Sequence, residues 1–177
     1  MAGSGKSTAV EYITQKGYPK VYFGGVILSE MEKRGITQNP TNERQFREAF
    51  RIENGTDAVA NKIIEEILNL AESGQHRVIA DGLYSWTEYR ALKHAFPGEL
   101  SLVAIVAPRH TRYHRLENRP VRPLTATEAY QRDEAEIENL EKGGPIAIAD
   151  HYVINDGDVE HLYEQIDAVA NDIKFFD

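Results

Sequence analysis

Short apolar runs alternate along the chain with longer stretches in which apolar side chains recur every three to four positions. Such runs predict buried strands, here at residues 21–23, 78–80, 102–106 and 152–154. The stretches between them predict amphipathic helices, the strongest of which covers 57–73. The alternation therefore predicts an α/β fold with three layers, in which helices flank a parallel sheet.

Polar residues mark where several of these helices begin. Thr41 is expected to cap a helix that carries Phe46 and Phe50 on one face. Thr125 and Glu128 have the spacing of a capping box, which predicts a long helix from there to about residue 142. Asp158 is expected to cap the last helix.

The first residues of the chain have the pattern of a phosphate-binding loop, G-x-x-x-x-G-K-[ST]. The part of the motif that is present consists of Gly3, Ser4, Gly5, Lys6, Ser7 and Thr8. The glycines allow a tight turn whose N–H groups point into one concavity, and a helix that starts at Lys6 directs its positive end to the same place. We expect Lys6 to reach the β- and γ-phosphates of a nucleotide and Ser7 to bind Mg²⁺.

The motif is incomplete, because its first glycine would stand one position before Met1. The alternative interpretation is a Gly/Ser-rich tail with an accidental Gly-Lys-Ser. The helical spacing of Ala9, Val10 and Ile13 favours the phosphate loop. We expect either that the sequence starts downstream of its true beginning or that the first strand has been lost.

Composition limits the classes of function. The chain has 177 residues, which fits a single domain spanning 1–177, and its net charge of −8 argues against nucleic acid or a membrane surface as partner. It has no cysteine, so a disulfide framework and cysteine-based metal sites are excluded. No apolar run approaches the roughly 18 residues of a membrane helix. We expect a cytoplasmic protein, a monomer or homodimer, with a small-molecule substrate.

Two predicted strands end in polar residues where ligands of α/β proteins bind, outside the carboxyl ends of the strands. Asp81 follows the strand at 78–80, as does the aspartate that holds Mg²⁺ in many phosphate-loop proteins, although such an aspartate is often only a helix cap. Asn155 and Gly157 follow the last strand and border the same crevice, unless they form only a turn.

Arginines cluster in two places. Arg47 and Arg51 lie one turn apart on the helix after Thr41, where Arg51 is a candidate partner of a substrate phosphate. The second cluster consists of Arg109, Arg112, Arg115, Arg119 and Arg122, of which the middle three share one helix face. It predicts either a lid that brings arginines onto phosphates or a surface paired with acids on the next helix.

Together these features resemble the P-loop nucleoside-monophosphate kinase superfamily, most closely its adenylate-kinase-related and dephospho-CoA-kinase-like proteins. The resemblance rests on the order and spacing of 3–8, 24–35, 51–60, 81–82, 111–119, 132–134 and 149–157. It implies a five-stranded parallel sheet of order 2-3-1-4-5, here without its first strand, an acceptor-binding insert at about 24–73 and a lid at about 109–135.

The resemblance also implies roles for individual residues. Arg115, Arg119 and Arg132 are similar to lid arginines that stabilise the phosphoryl group in flight. Asn155 and Gly157 are similar to the turn that borders the adenine of ATP, and Arg51 is similar to an arginine of the acceptor side.

The acceptor side departs from the family pattern. Related kinases commonly carry an aspartate and an arginine after the second strand, where Gly25 and Leu28 stand here, and an arginine where Tyr84 stands. The sequence predicts transfer of the γ-phosphoryl of Mg·ATP to a small acceptor, such as a nucleoside monophosphate or a dephospho-CoA-like molecule. The alternative is a non-catalytic ATP-binding regulatory protein of the same fold. A GTPase is disfavoured because no Asn-Lys-x-Asp motif is present.

Overall fold

The computed structural model describes residues 1–176, and for Pro40 and Arg44 it describes the backbone alone. The described strands are β1 (Lys20–Tyr22), β2 (Ile79–Asp81), β3 (Val103–Val106) and β4 (His151–Ile154). The described helices are α1 (Lys6–Gln15), α2 (Phe23–Lys33), α3 (Pro40–Asn54), α4 (Ala58–Glu72), α5 (Trp86–Ala95), α6 (Arg109–Asn118), α7 (Ala126–Glu138), α8 (Gly143–Ala147) and α9 (Val159–Asp172). The architecture is mixed α/β, as the alternating pattern predicts.

The strands form two parallel pairs. β1 pairs with β2, in a register that places Tyr22 opposite Asp81. β3 pairs with β4, in a register that places Val106 opposite Ile154. The expected order 2-3-1-4-5 places the second strand beside the third and the fourth beside the fifth. Because the first strand is missing, β1 and β2 correspond to the second and third strands, and β3 and β4 correspond to the fourth and fifth. Both neighbour relations are therefore confirmed.

The chain divides into two compact units. Unit 1 contains Met1–Lys16, Tyr84–Trp86 and the residues from Ser101 onward, and unit 2 contains Gly17–Leu83 and Thr87–Leu100. Unit 1 therefore holds the glycine-rich loop together with β3, β4 and the predicted lid.

Unit 1 is built around contacts between α1, β4 and α9. Its buried cluster consists of Ala9, Val153, Leu162 and Ile166. Tyr12 of α1 stacks on Tyr163 of α9 with ring centroids 4.0 Å apart, and its hydroxyl donates to Asp167 at 2.7 Å. Because these contacts hold α1 on α9 and β4, they fix the position at which α1 begins.

Unit 2 packs α2, α3 and α4 on one another and α4 on β1. The predicted apolar faces of α3 and α4 contribute Phe46, Phe50 and Ile63 to its interior. Ile27 and Met31 of α2, which no predicted stripe includes, are almost completely buried as well. Each such side chain contributes about 1.5–3 kcal/mol relative to an exposed one.

Three predicted element boundaries are wrong. Asn39, not Thr41, caps α3, since its side chain accepts from the Asn42 amide at 2.9 Å and proline follows at the first helical position. Phe23 begins α2 instead of ending the strand before it, and it is 1% exposed. α7 ends at Glu138 instead of about residue 142, because Glu141 turns the chain with a φ of 52°.

Two predicted caps are confirmed. Thr125 and Glu128 form a complete capping box, and Asp158 accepts from the His161 amide at 2.9 Å. Within residues 1–176, no helix combines the length and the apolar character that a membrane crossing requires. The boundaries of the acceptor insert and the lid stay predictions.

Candidate functional site: a phosphate-binding loop and its cationic neighbours

The loop leads into α1 through a position whose backbone geometry suits glycine. Gly5 is the N-cap residue with a φ of 94°, and Lys6 is the first residue of the helix. Among the described residues, no side chain caps α1 and its first turn carries no acid, so its N–H groups and dipole favour an anion. Ser7 and Thr8 are not buried, whereas Ser4 is.

Asn155 supports the loop from the end of β4. Its Nδ2 donates to the Ser4 carbonyl oxygen at 2.8 Å, and a Cβ atom on Gly5 would overlap that nitrogen. Arg115 in turn donates to the Asn155 carbonyl oxygen at 3.0 Å and to its Oδ1 at 3.4 Å. Asn155 and Arg115 therefore lie against the loop in unit 1, and their predicted contact with a nucleotide stays a prediction.

Arg112 supports the loop from α6. Its guanidinium forms two hydrogen bonds to the Asp133 carboxylate, at 3.0 and 2.6 Å, and donates to the Ala2 carbonyl oxygen at 3.0 Å. Both side chains are buried, and a Cβ atom on Gly3 would lie 2.7 Å from the Arg112 carbonyl oxygen. Arg112 thus pairs with an acid of the next helix, but inside unit 1 and not on an exposed face as the alternative interpretation has it.

The hydrogen bonds from Arg112 and Asn155 determine the direction in which two of the loop amides point. In a trans peptide the C=O and the following N–H point in opposite directions. Because side chains hold the carbonyls of Ala2 and Ser4, the N–H groups of Gly3 and Gly5 point away from those side chains. The loop is thereby arranged to present amide donors, as binding of phosphate oxygens requires.

A second group of charges in unit 1 is arranged around Glu136. Its Oε2 accepts from Lys142 Nζ at 2.7 Å, and its Oε1 accepts from Arg132 Nε at 3.0 Å. Burial raises the pKa of Glu136, but Lys142 and Arg132 outweigh it and leave the pKa below its usual value. Burial lowers the pKa of Lys142, Glu136 opposes this, and the charges of Arg132 and Lys6 lower it further.

Arg119 is also near these cations. It is the residue after the last turn of α6, so it does not share a helix face with Arg112 and Arg115 as the spacing predicts. Its Nε donates to the Arg122 carbonyl oxygen, and burial followed by the charges of Arg132 and Arg122 lowers its pKa. Repulsion among like charges of this kind is relieved by an anionic ligand.

The predicted magnesium ligands fall in different units. Asp81 ends β2 in unit 2 and is buried, whereas Ser7 lies in unit 1. In residues 1–176, histidine and acidic side chains do not gather in threes as a dedicated metal centre does. A serine hydroxyl and an aspartate carboxylate are each oxygen ligands of a kind that Mg²⁺ accepts, and the shared role of Ser7 and Asp81 stays a prediction.

The predicted acceptor residues lie in unit 2. Arg51 Nη2 donates to Glu88 Oε1 at 3.0 Å, and Glu88 is 1% exposed. The Arg51 Nε atom is buried and makes no hydrogen bond with the described part of the chain. Arg47 lies one turn earlier on α3. A buried carboxylate thus already neutralises part of the Arg51 charge.

Gly157 lies in the bend after β4, near the side chain of His161. Lys142 and Glu136 are absent from the residues that sequence reasoning selects. The spacing of Arg132 and Glu136, four apart on one helix, is a readable signal for their pair. The approach of Lys142 has no such signal, because it depends on the turn at Glu141.

Comparisons with known proteins agree with this geometry. Residues 1–143 match a family model described as AAA domain, AAA_18. A UPF0200 protein of Thermococcus gammatolerans is 34% identical over 98% of this chain and 92% of its own length. UPF0200 protein TK1334 of Thermococcus kodakarensis is 32% identical over 98% of this chain and 94% of its own length.

Two solved structures share the fold. The structure of TT1252 from Thermus thermophilus has a TM-score of 0.56 and 20% identity, covering 97% of this chain and 93% of that one. A gluconokinase from Sinorhizobium meliloti 1021 has a TM-score of 0.53 and 16% identity, covering 98% of this chain and 91% of its own. Residues 1–143 carry the AAA-domain match, and the chain shares the fold of a gluconokinase. The protein belongs to the UPF0200 family.

Proposed function

We propose that the protein is an ATP-dependent phosphotransferase that moves the γ-phosphoryl group of Mg·ATP to a small acceptor. The observation that carries the proposal is the loop at Gly3–Gly5, whose neighbouring carbonyls are held by Arg112 and Asn155 and which leads into the start of α1. A preorganised cup of amides next to a lysine is suited to a triphosphate.

The predicted site residues have different roles in nucleotide binding and phosphoryl transfer. Lys6 and the loop amides neutralise the β- and γ-phosphate oxygens, while Arg119 and Arg132 stabilise the charge of the phosphoryl group in transfer. Arg115 and Asn155 hold the loop and border the nucleotide, with Gly157 completing the turn beside it. When bound, Mg²⁺ supplies further charge neutralisation, and Ser7 and Asp81 are the residues that would hold it.

The acceptor is a small molecule that unit 2 binds through α3, with Arg47 and Arg51 on that helix. Acceptors like those of adenylate kinase and dephospho-CoA kinase are the first candidates. Because Glu88 already pairs with Arg51, a neutral or hydroxyl-rich acceptor is equally compatible with this surface.

The test is calorimetric titration with Mg·ATP, followed by transfer assays with labelled ATP. We expect Lys6→Ala to weaken ATP binding and to reduce transfer at least about a hundredfold, while circular dichroism shows an intact fold. Lys16→Ala is the control, because it removes a lysine from the opposite end of the same helix, where Lys16 pairs with Asp167. Wild-type transfer by Lys6→Ala would refute the assignment.

The second candidate is a non-catalytic nucleotide-binding protein. The ion pair between Arg51 and Glu88 favours it, since it occupies an arginine that a phosphate-bearing acceptor would need. A screen of labelled ATP with AMP, CMP, deoxynucleoside monophosphates, dephospho-CoA and sugar acids separates the two. Tight ATP binding without label on any acceptor would favour the regulatory protein over the kinase.

A further inference from the structure

Lys142 is an unusual residue because its charged side chain lies inside unit 1. Its side chain is 12% exposed, and lysine is rarely buried without a partner. Its ammonium group lies over the Tyr84 ring, 4.9 Å from the ring centroid. The turn that brings it there contains Glu141, whose left-handed backbone costs about 1–2 kcal/mol in a non-glycine residue. The backbone is therefore strained at Glu141, the residue that directs Lys142 into the interior of unit 1.

The cations around Lys142 share one carboxylate. Glu136 accepts hydrogen bonds from both Lys142 and Arg132. Asp133, the other buried carboxylate of α7, is bonded to Arg112. Arg112 also donates to the Ala2 carbonyl oxygen, so the face of α7 that carries Asp133 and Glu136 adjoins the phosphate loop. The side chains of Lys142 and Arg132 are therefore both bonded to the one carboxylate of Glu136.

The arrangement contains more than the one ion pair that would close the turn after α7. An ion pair that only closes the turn after α7 would be served by one cation on Glu136. Here Arg132 shares the carboxylate as a second cation. One turn earlier on α7, Asp133 is bonded to Arg112, the arginine that holds the Ala2 carbonyl oxygen of the phosphate loop. Gathering like charges in one place costs free energy that a bound anion recovers.

We propose that Lys142 is a second phosphate-binding lysine, which Glu136 holds in place until the phosphates of Mg·ATP take over its ammonium group. Glu136 acts as a stand-in anion for both Lys142 and Arg132. Binding exchanges one carboxylate contact for contacts with phosphoryl oxygens, and no covalent bond changes. The proposal rests on the proposed function, because it uses the same nucleotide site.

The test is calorimetric titration of Mg·ATP into the wild type, Lys142→Met, Lys142→Arg and Glu136→Gln. We expect Lys142→Met to weaken binding about tenfold, as loss of a hydrogen bond between charged groups does, and Lys142→Arg to stay within about threefold of the wild type. Glu136→Gln removes the competing anion, so we expect affinity that is unchanged or up to about threefold tighter.

The effects of the two substitutions on ATP affinity distinguish an exchange of partners from a structural ion pair. An exchange predicts that Lys142→Met weakens binding and that Glu136→Gln does not. A structural pair predicts that Lys142→Met and Glu136→Gln lower the thermal midpoint and weaken ATP binding alike, and that result would overturn the proposal. The control is Lys62→Met, which removes a lysine of a lysine–glutamate pair in unit 2 and should leave affinity unchanged. Wild-type affinity in Lys142→Met would overturn the inference and leave the proposed function standing. Absence of heat with the wild type would overturn both.

Discussion

Replacement of Gly5 by alanine tests whether the loop is held in one conformation by its neighbours. Gly5 has a φ of 94°, in the left-handed region. An added Cβ would overlap Asn155 Nδ2 and would lie 3.9 Å from a methyl carbon of Leu162. Because the nearest atom belongs to a buried amide that bonds to Ser4, it cannot move without breaking that hydrogen bond.

The expected cost has two parts. The left-handed backbone costs alanine about 1–2 kcal/mol relative to glycine. Displacing Asn155 leaves the Ser4 carbonyl without its buried donor, which costs about a further 1–3 kcal/mol. Together they predict that Gly5→Ala lowers the free energy of unfolding by about 2–5 kcal/mol.

The matched control is Gly17→Ala. Gly17 has a φ of 97°, but apart from Gly17 and its two chain neighbours no atom of the described chain lies within 4 Å of the position that a Cβ would take, so the substitution carries only the backbone cost. Urea denaturation of both variants, followed by fluorescence of Trp86, gives the two free energies. Their difference isolates the contact with Asn155, and we expect it to be about 1–3 kcal/mol.

The same pair of variants links stability to binding. If Asn155 fixes the loop amides, Gly5→Ala also weakens Mg·ATP binding, whereas Gly17→Ala does not. Equal destabilisation of the two variants, within about 0.5 kcal/mol, would refute the account of Asn155 as a support pressed against the loop.

Three further predictions concern the surroundings of the loop. A lysine at position 112 cannot form the paired hydrogen bonds to Asp133, so we expect Arg112→Lys to lower the free energy of unfolding in urea by about 1–3 kcal/mol. The control is Arg34→Lys, whose partner Glu53 is exposed, and we expect it to cost less than about 0.5 kcal/mol. The pKa of Glu136 is below its usual 4.5 in the folded state, so its charge contributes to the free energy of unfolding above pH 4.5. That contribution is lost as the pH falls through the pKa of the folded state. Glu136→Gln should therefore make the free energy of unfolding less dependent on pH on the acid side. Glu141→Gly relieves a left-handed backbone, and a gain of about 0.5–1 kcal/mol in unfolding free energy is expected, with a loss of stability contradicting the strain.

Periodicity and caps predict much of the fold because they depend on local sequence. Thr125 and Asp158 cap their helices as predicted, since each needs only a backbone amide three residues away. The error at α3 is also local: Asn39 and Thr41 are both capable caps, and Pro40 at the first helical position decides in favour of Asn39.

The site is less predictable because its side chains meet across long stretches of sequence. The strand pattern predicts Asn155 at the end of the last strand, but its hydrogen bond to Ser4 spans 151 residues. Arg112 and Arg115 have the same chemistry and lie on the same helix, yet one pairs with Asp133 and the other with Asn155. No periodicity distinguishes them, because the difference lies in which neighbour the tertiary fold places opposite each guanidinium.

The supports of the loop explain why a binding site can require so many buried polar groups. A flexible glycine-rich loop would lose conformational entropy each time it bound phosphate, about 1–2 kcal/mol for every residue that becomes ordered. In this protein Arg112 and Asn155 hold the carbonyls of Ala2 and Ser4, so that ordering occurs during folding instead. The burial of Arg112 and Asp133 as an ion pair adds little net stability by itself. Its physical benefit is a loop whose Ala2–Gly3 and Ser4–Gly5 peptides are already held when the ligand arrives, which raises affinity without any additional contact.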